Sequence, residues 1–173
     1  MSALFNLTAC DSKSKMEERL RASSRAVMVG ADAESPRSFY TIALHGDNPL
    51  IVGLSISGLG PKPSVAASRN GEHLLIGHDR SLTVVDVPSG KIVVVHSLDG
   101  AFFQFLEPFE KNVVAIHELG ALQVSFDGAV GWTVSSSDIV ENFRVEDGRV
   151  LELSVADSVA PLRVSLADGR KLK

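Results

Sequence analysis

Residues 72–97 contain three apolar runs in close succession: Glu72-His73-Leu74-Leu75-Ile76-Gly77, Ser81-Leu82-Thr83-Val84-Val85-Asp86-Val87 and Lys91-Ile92-Val93-Val94-Val95-His96-Ser97. Between them lie His78-Asp79-Arg80 and Pro88-Ser89-Gly90, short groups of the kind that reverse a chain. β-Branched residues fill the runs, and such side chains fit a pleated, packed surface better than a helix interior. The pattern predicts strands near Glu72–Gly77, Ser81–Val87 and Lys91–Ser97, with a further strand just upstream near Ser64–Ser68. The run Ile92–Val95 does not alternate, and a strand with one wet face should, so burial on both faces is expected there.

Working outward, the same unit recurs about every forty residues. Ile42, Leu82, Leu122 and Leu162 are separated by three intervals of 40, and each begins a similar short apolar run. Val65, Phe105 and Val145 repeat the spacing in a second register. The turn groups Asp47-Asn48-Pro49, Pro88-Ser89-Gly90, Asp127-Gly128 and Asp168-Gly169 keep the same beat. Four strands in a period of about forty residues is the plan of a propeller blade, which buries both faces only by stacking on its neighbours.

The stretch Ser68-Arg69-Asn70-Gly71 through Ser81–Val93 resembles the blade repeat of WD40-like and YVTN-type β-propellers. That repeat has a polar-Gly turn, an apolar strand, then an aspartate-bearing strand closed by a Gly-Lys hairpin, here Asp86 and Gly90-Lys91. Phe126 and Leu166 stand where later units would carry the aspartate, and no Trp-Asp dipeptide occurs. The resemblance implies a fold and brings no catalytic residue with it. The expected architecture is all-β, a small propeller-like stack of about four blades with a short N-terminal helix; the alternative is a β-sandwich. Residues 1–24 read as a leader and 25–173 as a single β-repeat domain. The leader's helix is expected behind Asp11 or Ser12, with Met16 and Leu20 as its apolar stripe. Because the first unit, Ala26–Gly58, is short of a strand, the ring closes through Arg170–Lys173, pairs with a second copy as a homodimer, or stays open.

Hydrophobic residues form 45% of the 173-residue chain and charged residues 22%, a globular balance that excludes disorder. The net charge of −4 provides no cationic field for phosphates, so nucleic acid is excluded as a partner and a basic protein is favoured. Cys10 is the single cysteine and cannot form an internal disulfide, which fits a reducing cytoplasm. Leu7-Thr8-Ala9-Cys10 resembles a lipobox, so the alternative is a lipoprotein anchored through Cys10. No Lys or Arg precedes it, as a basic export-signal start would require.

Catalytic constellations are thin. His73, His78 and His117 with Asp79 and Glu118 are a candidate metal set, and His78 and Glu118 lie one period apart. They lack the close paired-histidine motif of a metal site, so no metal and no cofactor is expected. Gly53-Leu54-Ser55-Ile56-Ser57 falls short of a nucleophile elbow, and Gly58-Leu59-Gly60-Pro61-Lys62-Pro63 lacks the glycine and helix of a phosphate cradle. Ala101–Phe109 holds four of the eight phenylalanines. As an inner strand it would turn Phe103 and Phe105 into the core, leaving Phe102 or Phe109 for an aromatic rim. The sequence therefore points to a non-enzymatic protein-binding module, in its sharper form a bacterial immunity or antitoxin-like inhibitor. Its candidate partner-binding residues are Phe102, Phe109, Trp132, His78, Asp79 and Glu118. The alternative is a small-ligand or metal-dependent enzyme using loops at the centre of the ring.

Overall fold

The computed structural model describes residues 5–30, 35–45 and 49–173, so Asp47-Asn48 lie outside the described residues. Among the described residues, sixteen strands form four sheets of four, accompanied by one helix. The second sheet is a meander of β5 (Ser64–Ala67), β6 (His73–His78), β7 (Ser81–Asp86) and β8 (Lys91–Ser97). These bounds differ from the expected ones by at most a residue, because each turn is fixed by local chemistry. Asp86 Oδ2, for example, accepts from Ser89 N at 2.8 Å, and Gly90 follows at φ +65°, a conformation that favours glycine. The third sheet repeats the plan with β9 (Phe103–Phe109), β10 (Asn112–His117), β11 (Gly120–Ser125) and β12 (Val130–Ser135). The fourth consists of β13 (Val140–Glu146), β14 (Val150–Val155), β15 (Leu162–Ser165) and β16 (Lys171–Leu172).

The first sheet departs from this plan. Its order is β1 (Phe5–Cys10), β3 (Ser38–Leu44), β4 (Leu50–Ile56), β2 (Ala26–Val29), and β2 runs parallel to β4. Residues 5–10, read from the sequence as leader, pair along their whole length with β3. β1 is therefore an edge strand, parallel to β2 at the opposite edge, and α1 (Lys13–Arg21) carries the chain across the sheet between them. Ser12 caps α1, its hydroxyl accepting from Lys15 N at 3.3 Å.

Three apolar interfaces join the four sheets. The first packs Ile42, Val52 and Leu54 on Leu74 and Ile76, the second Leu75 and Leu82 on Phe103 and Val113, and the third Val114 and Trp132 on Leu151 and Val164. Among the described residues no apolar cluster joins the fourth sheet to the first, so the stack is an open arc. Its two terminal faces are covered in different ways. On the first sheet α1 does it: Met16 is fully buried, a Cβ on Gly53 would lie 2.7 Å from Leu20 Cδ1, and Arg19 donates to Thr41 Oγ1 at 2.9 Å. Burying such a methionine stabilises by about 1.5–3 kcal/mol, which ties the helix to the sheet. On the fourth sheet an ionic ladder does it. Arg144, Glu152 and Arg163 face one another across three strands, and Arg163 also reaches Glu146 at 2.6 Å. Both arginines hold the Glu152 carboxyl below the usual glutamate range, with the Arg144 hydrogen bond contributing most.

The four aligned apolar positions all lie in strands, but their register differs from the sequence reading. His78 and His117 end β6 and β10, so the true offset between the second and third sheets is 39 at this turn. Consequently Leu82 faces forward and Leu122 backward, and the two meet inside the same interface. Ile92–Val95 is also corrected: β8 is the outer strand of its sheet, and Val93 and Val95 are 53% and 58% exposed. Phe105 is 41% exposed instead of sharing the core with Phe103. A bulge at the end of β10 pairs Phe105 with Ile116 but Phe103 with His117, so the extra residue Gln104 puts the two rings on opposite faces. Phe105 instead stacks on Phe143 at 5.2 Å.

Candidate functional site: a cleft between the first two sheets

The turns between second and third strands carry the acidic residues that the sequence singled out. Asp79 accepts from Ser57 N at 2.8 Å and from Ser57 Oγ at 2.7 Å, which holds the end of the first sheet against the second. At the equivalent turn of the third sheet, Glu118 accepts from Phe102 N at 3.0 Å. The carbonyls repeat the relation, with Asp79 O accepting from Phe103 N and Glu118 O from Val140 N. The structurally equivalent pairs are thus His78 with His117 and Asp79 with Glu118, not His78 with Glu118. In the fourth sheet the place falls to Ala156, which has no carboxylate, and Ile139 N bonds to Asp138 Oδ1 instead. Charge-assisted bonds of this kind are worth about 1.5–3 kcal/mol each, so Asp79 clamps the first blade to the second, while Glu118 fixes the chain entering its own blade.

These clamps frame a cleft of about 520 Å³ at the turn end of the interface between the first and second sheets. Met28 and Ser55 form one wall, and His78, Thr83, Ile92 and Val95 the other. At the mouth stand Leu59, 69% exposed, and half-buried Phe102. Phe102 is fixed from three sides: by Gly60 beneath it, by the Glu118 clamp on its backbone, and by the Arg80 guanidinium 4.5 Å over its ring. Gly60 leaves room for the ring, since a Cβ there would lie 2.8 Å from Phe102 Cδ1.

His78 is buried in the cleft wall. Its Nε2 lies 3.1 Å from Thr83 Oγ1, while Nδ1 has no hydrogen-bond partner. Burial pushes its pKa below the ordinary 6.5, with neighbouring Asp79 opposing in part. His117 is shifted the same way by burial, opposed by Asp99 and Glu118. The unfolded chain takes up protons near pH 6.5, the folded chain only at lower pH, so unfolding between those values absorbs protons. Stability is accordingly expected to be full above about pH 6.5 and to decline as the pH falls below it, His78 alone contributing up to about 1.4 kcal/mol per pH unit. Urea unfolding at pH 7.5, 6.5 and 5.5 would measure the slope, and His78→Leu should flatten it.

A hydrolytic triad needs an acid on the second ring nitrogen of the base. Here that nitrogen is bare, and Asp79 is engaged by Ser57. Among the described residues no group of three or more His, Cys, Asp or Glu is placed to hold a metal ion. His73 instead faces Asp86 at 3.7 Å, and His117 Nδ1 accepts from Leu119 N.

Of the six candidate residues, three line this cleft, His78, Asp79 and Phe102, while Glu118 stands behind it, bonded to Phe102 N. The other two lie two interfaces away. Phe109 is half-buried against the third apolar cluster, and Trp132 is buried at 9% exposure, its Nε1 donating to Leu166 O at 3.2 Å. Sequence reading missed Leu59, Arg80, Ile92 and Val95. Leu59 carried a signal, as a large apolar residue between two glycines, Gly58 and Gly60, where a linker is expected to be wet. Cys10 is half-buried, its Sγ 4.0 Å from Thr41 Oγ1. No described helix is long and apolar enough to cross a membrane.

No family model matches the chain, and no curated protein is matched. Solved structures are similar to it at the level of fold. The dihydro-heme d1 dehydrogenase NirN, in complex with DHE, aligns over 78% of this chain with a TM-score of 0.54 and 16% identity. The computationally designed Ika8 protein aligns over 81% at 0.52 and 12%. The β-propeller domain of Cps50 (Swd1) from Myceliophteria thermophila aligns over 78% at 0.51 and 10%. This chain spans 32%, 46% and 56% of those three chains respectively. The all-β, four-sheet arrangement built from forty-residue units is that of propeller blades.

Proposed function

We propose that this chain is a non-enzymatic binding module that engages a protein partner at the mouth of the cleft between its first two sheets. One observation carries the reading: exposed Leu59 stands beside Phe102, an aromatic side chain already immobilised by Arg80, Gly60 and the Glu118 clamp. Apolar anchors on a rigid frame lose little entropy on binding, which is the usual character of an interface hot spot. The apolar cleft behind them would receive a partner's side chain. A net charge of −4 steers basic partners toward the surface. In its finer form the reading is an inhibitor of the immunity or antitoxin type, acting in the cytoplasm and covering the active surface of a basic toxin. The chain's acidity supports that form.

Leu59→Arg tests the proposal, because the side chain lies on the surface and its loss should leave thermal unfolding unchanged. Affinity for the basic protein that copurifies with the wild-type chain should fall at least about tenfold, a loss of about 1.4 kcal/mol. Protection of cells expressing that protein should fall with it. Unaltered affinity would reject the cleft mouth as the site, and absence of protection by the wild-type chain would reject the inhibitor form.

A further inference from the structure

The second, third and fourth sheets present turns at two ends, and the two ends differ. At the end that bears the cleft mouth, backbone bonds link the segments in order along the arc: Glu118 N donates to Phe102 O, Ser136 N to Leu119 O, and Ala156 N to Ile139 O. Leu59, Leu119, Ile139 and Val159 are exposed along this line, Val159 completely, with half-buried Phe102 among them. At the opposite end, turns 68–72, 87–90, 110–111, 126–129, 147–149 and 166–170 carry no exposed large apolar side chain. Charge divides in the same way. Beyond the cleft mouth, segments 98–102, 118–119, 136–139 and 156–161 contain Asp99, Glu118, Asp138 and Asp157 and no Lys or Arg, a charge of −4. Turns 110–111, 126–129, 147–149 and 166–170 also hold four carboxylates, but Lys111, Arg149 and Arg170 stand beside them and leave −1. None of the four carboxylates at the mouth end joins an ion pair among the described residues.

We propose that the turns of the third and fourth sheets extend the partner-binding surface. A basic protein segment with interspersed apolar side chains lies along Leu119, Ile139 and Val159, and its Lys and Arg residues meet Asp99, Asp138 and Asp157. The proposal deepens the partner-binding reading and rests on it, because Leu59 and Phe102 form the near end of the same line. Apolar contacts supply the affinity, while the unpaired carboxylates steer a cationic partner inward and repel an acidic one. Each segment is already bonded to the next, so little chain entropy is lost on contact. The carboxylates are solvent-facing and the Debye length at physiological salt is about 8 Å, so binding should weaken as salt is raised.

Fluorescence anisotropy of a short labelled peptide of alternating lysine and leucine, titrated with the full chain, tests the inference. Two double variants make the same change of charge at opposite ends: Asp99→Lys with Asp157→Lys, and Glu110→Lys with Asp147→Lys. All four carboxylates are exposed, sit at φ between +50° and +56°, and make no side-chain hydrogen bond among the described residues. The two variants should therefore unfold at similar temperatures. The first should weaken binding at least about tenfold and the second less than about twofold. Equal losses would reduce the effect to overall charge and overturn the proposal, as would a wild type that does not distinguish this peptide from one of lysine and serine. Ile139→Ser with Val159→Ser should also lower affinity about tenfold. A loss on Leu59→Arg without one on that pair would confine the site to the cleft mouth and overturn the extension. The reverse result would reject the mouth while leaving the far end of the line in place.

Discussion

Replacing Phe103 with alanine is expected to destabilise the protein by about 3–5 kcal/mol, the usual range for removing a fully buried phenylalanine from a packed core. The ring has no exposed surface and fills the space over Gly77, where a Cβ would lie within 2.5 Å of three of its atoms. Glycine and phenylalanine are thus complementary halves of one contact between the second and third sheets. Neighbouring Leu75, Leu82 and Leu106 are held by ordered strands and cannot collapse into the vacated volume, so the cavity term should be near its upper range. The loss should also reach the site. Phe103 N donates to Asp79 O, and Phe102, the next residue, stands at the cleft mouth. Denaturant unfolding of Phe103→Ala gives the stability change directly. A cost below about 1.5 kcal/mol would mean that the interface does not depend on this pair. Gly77→Ala is the complementary test: it should destabilise with Phe103 present and be better tolerated in the Phe103→Ala background.

The second sheet was legible in the sequence because its turns are specified locally. Asp86, Ser89 and Gly90 fix one hairpin within five residues, and all four strands end within a residue of their expected bounds. β1 was not legible: as an edge strand with Asn6 and Thr8 on exposed positions it offers no continuous apolar run, and its partner β3 is some thirty residues away in sequence. The Leu82–Leu122 alignment found the repeat but missed its register by one residue, and a one-residue slip in a strand turns every side chain to the other face. For the site, turn chemistry pointed to His78, Asp79 and Glu118 because these residues recur at the same corner of successive blades. Ile92 and Val95 were assigned to the core because composition does not tell an outer strand from an inner one. Only stacking decides that, and among the described strands β8 has a neighbour on one edge alone.

Trp132 shows most clearly how a surface reading turns into a packing one. Placed by its hairpin, the chain's single tryptophan looked suited to a partner, yet it lies in the third interface against the β15–β16 hairpin. A Cβ on Gly169 would lie 2.7 Å from its Cγ, so that turn needs glycine for room as well as for its φ of +72°. Trp132→Ala should therefore cost about 3–5 kcal/mol, and any loss of binding should follow the loss of folded protein. Trp132→Phe separates packing from hydrogen bonding. It keeps most of the buried surface and removes the bond to Leu166 O, but that carbonyl still accepts from Gln123 Nε2 at 3.1 Å. With the acceptor satisfied, the cost should stay below about 1.5 kcal/mol. Equal costs for the two variants would locate the contribution of Trp132 in the indole hydrogen bond. A stable Trp132→Ala with lost partner binding would return the residue to the surface role that its hairpin suggested.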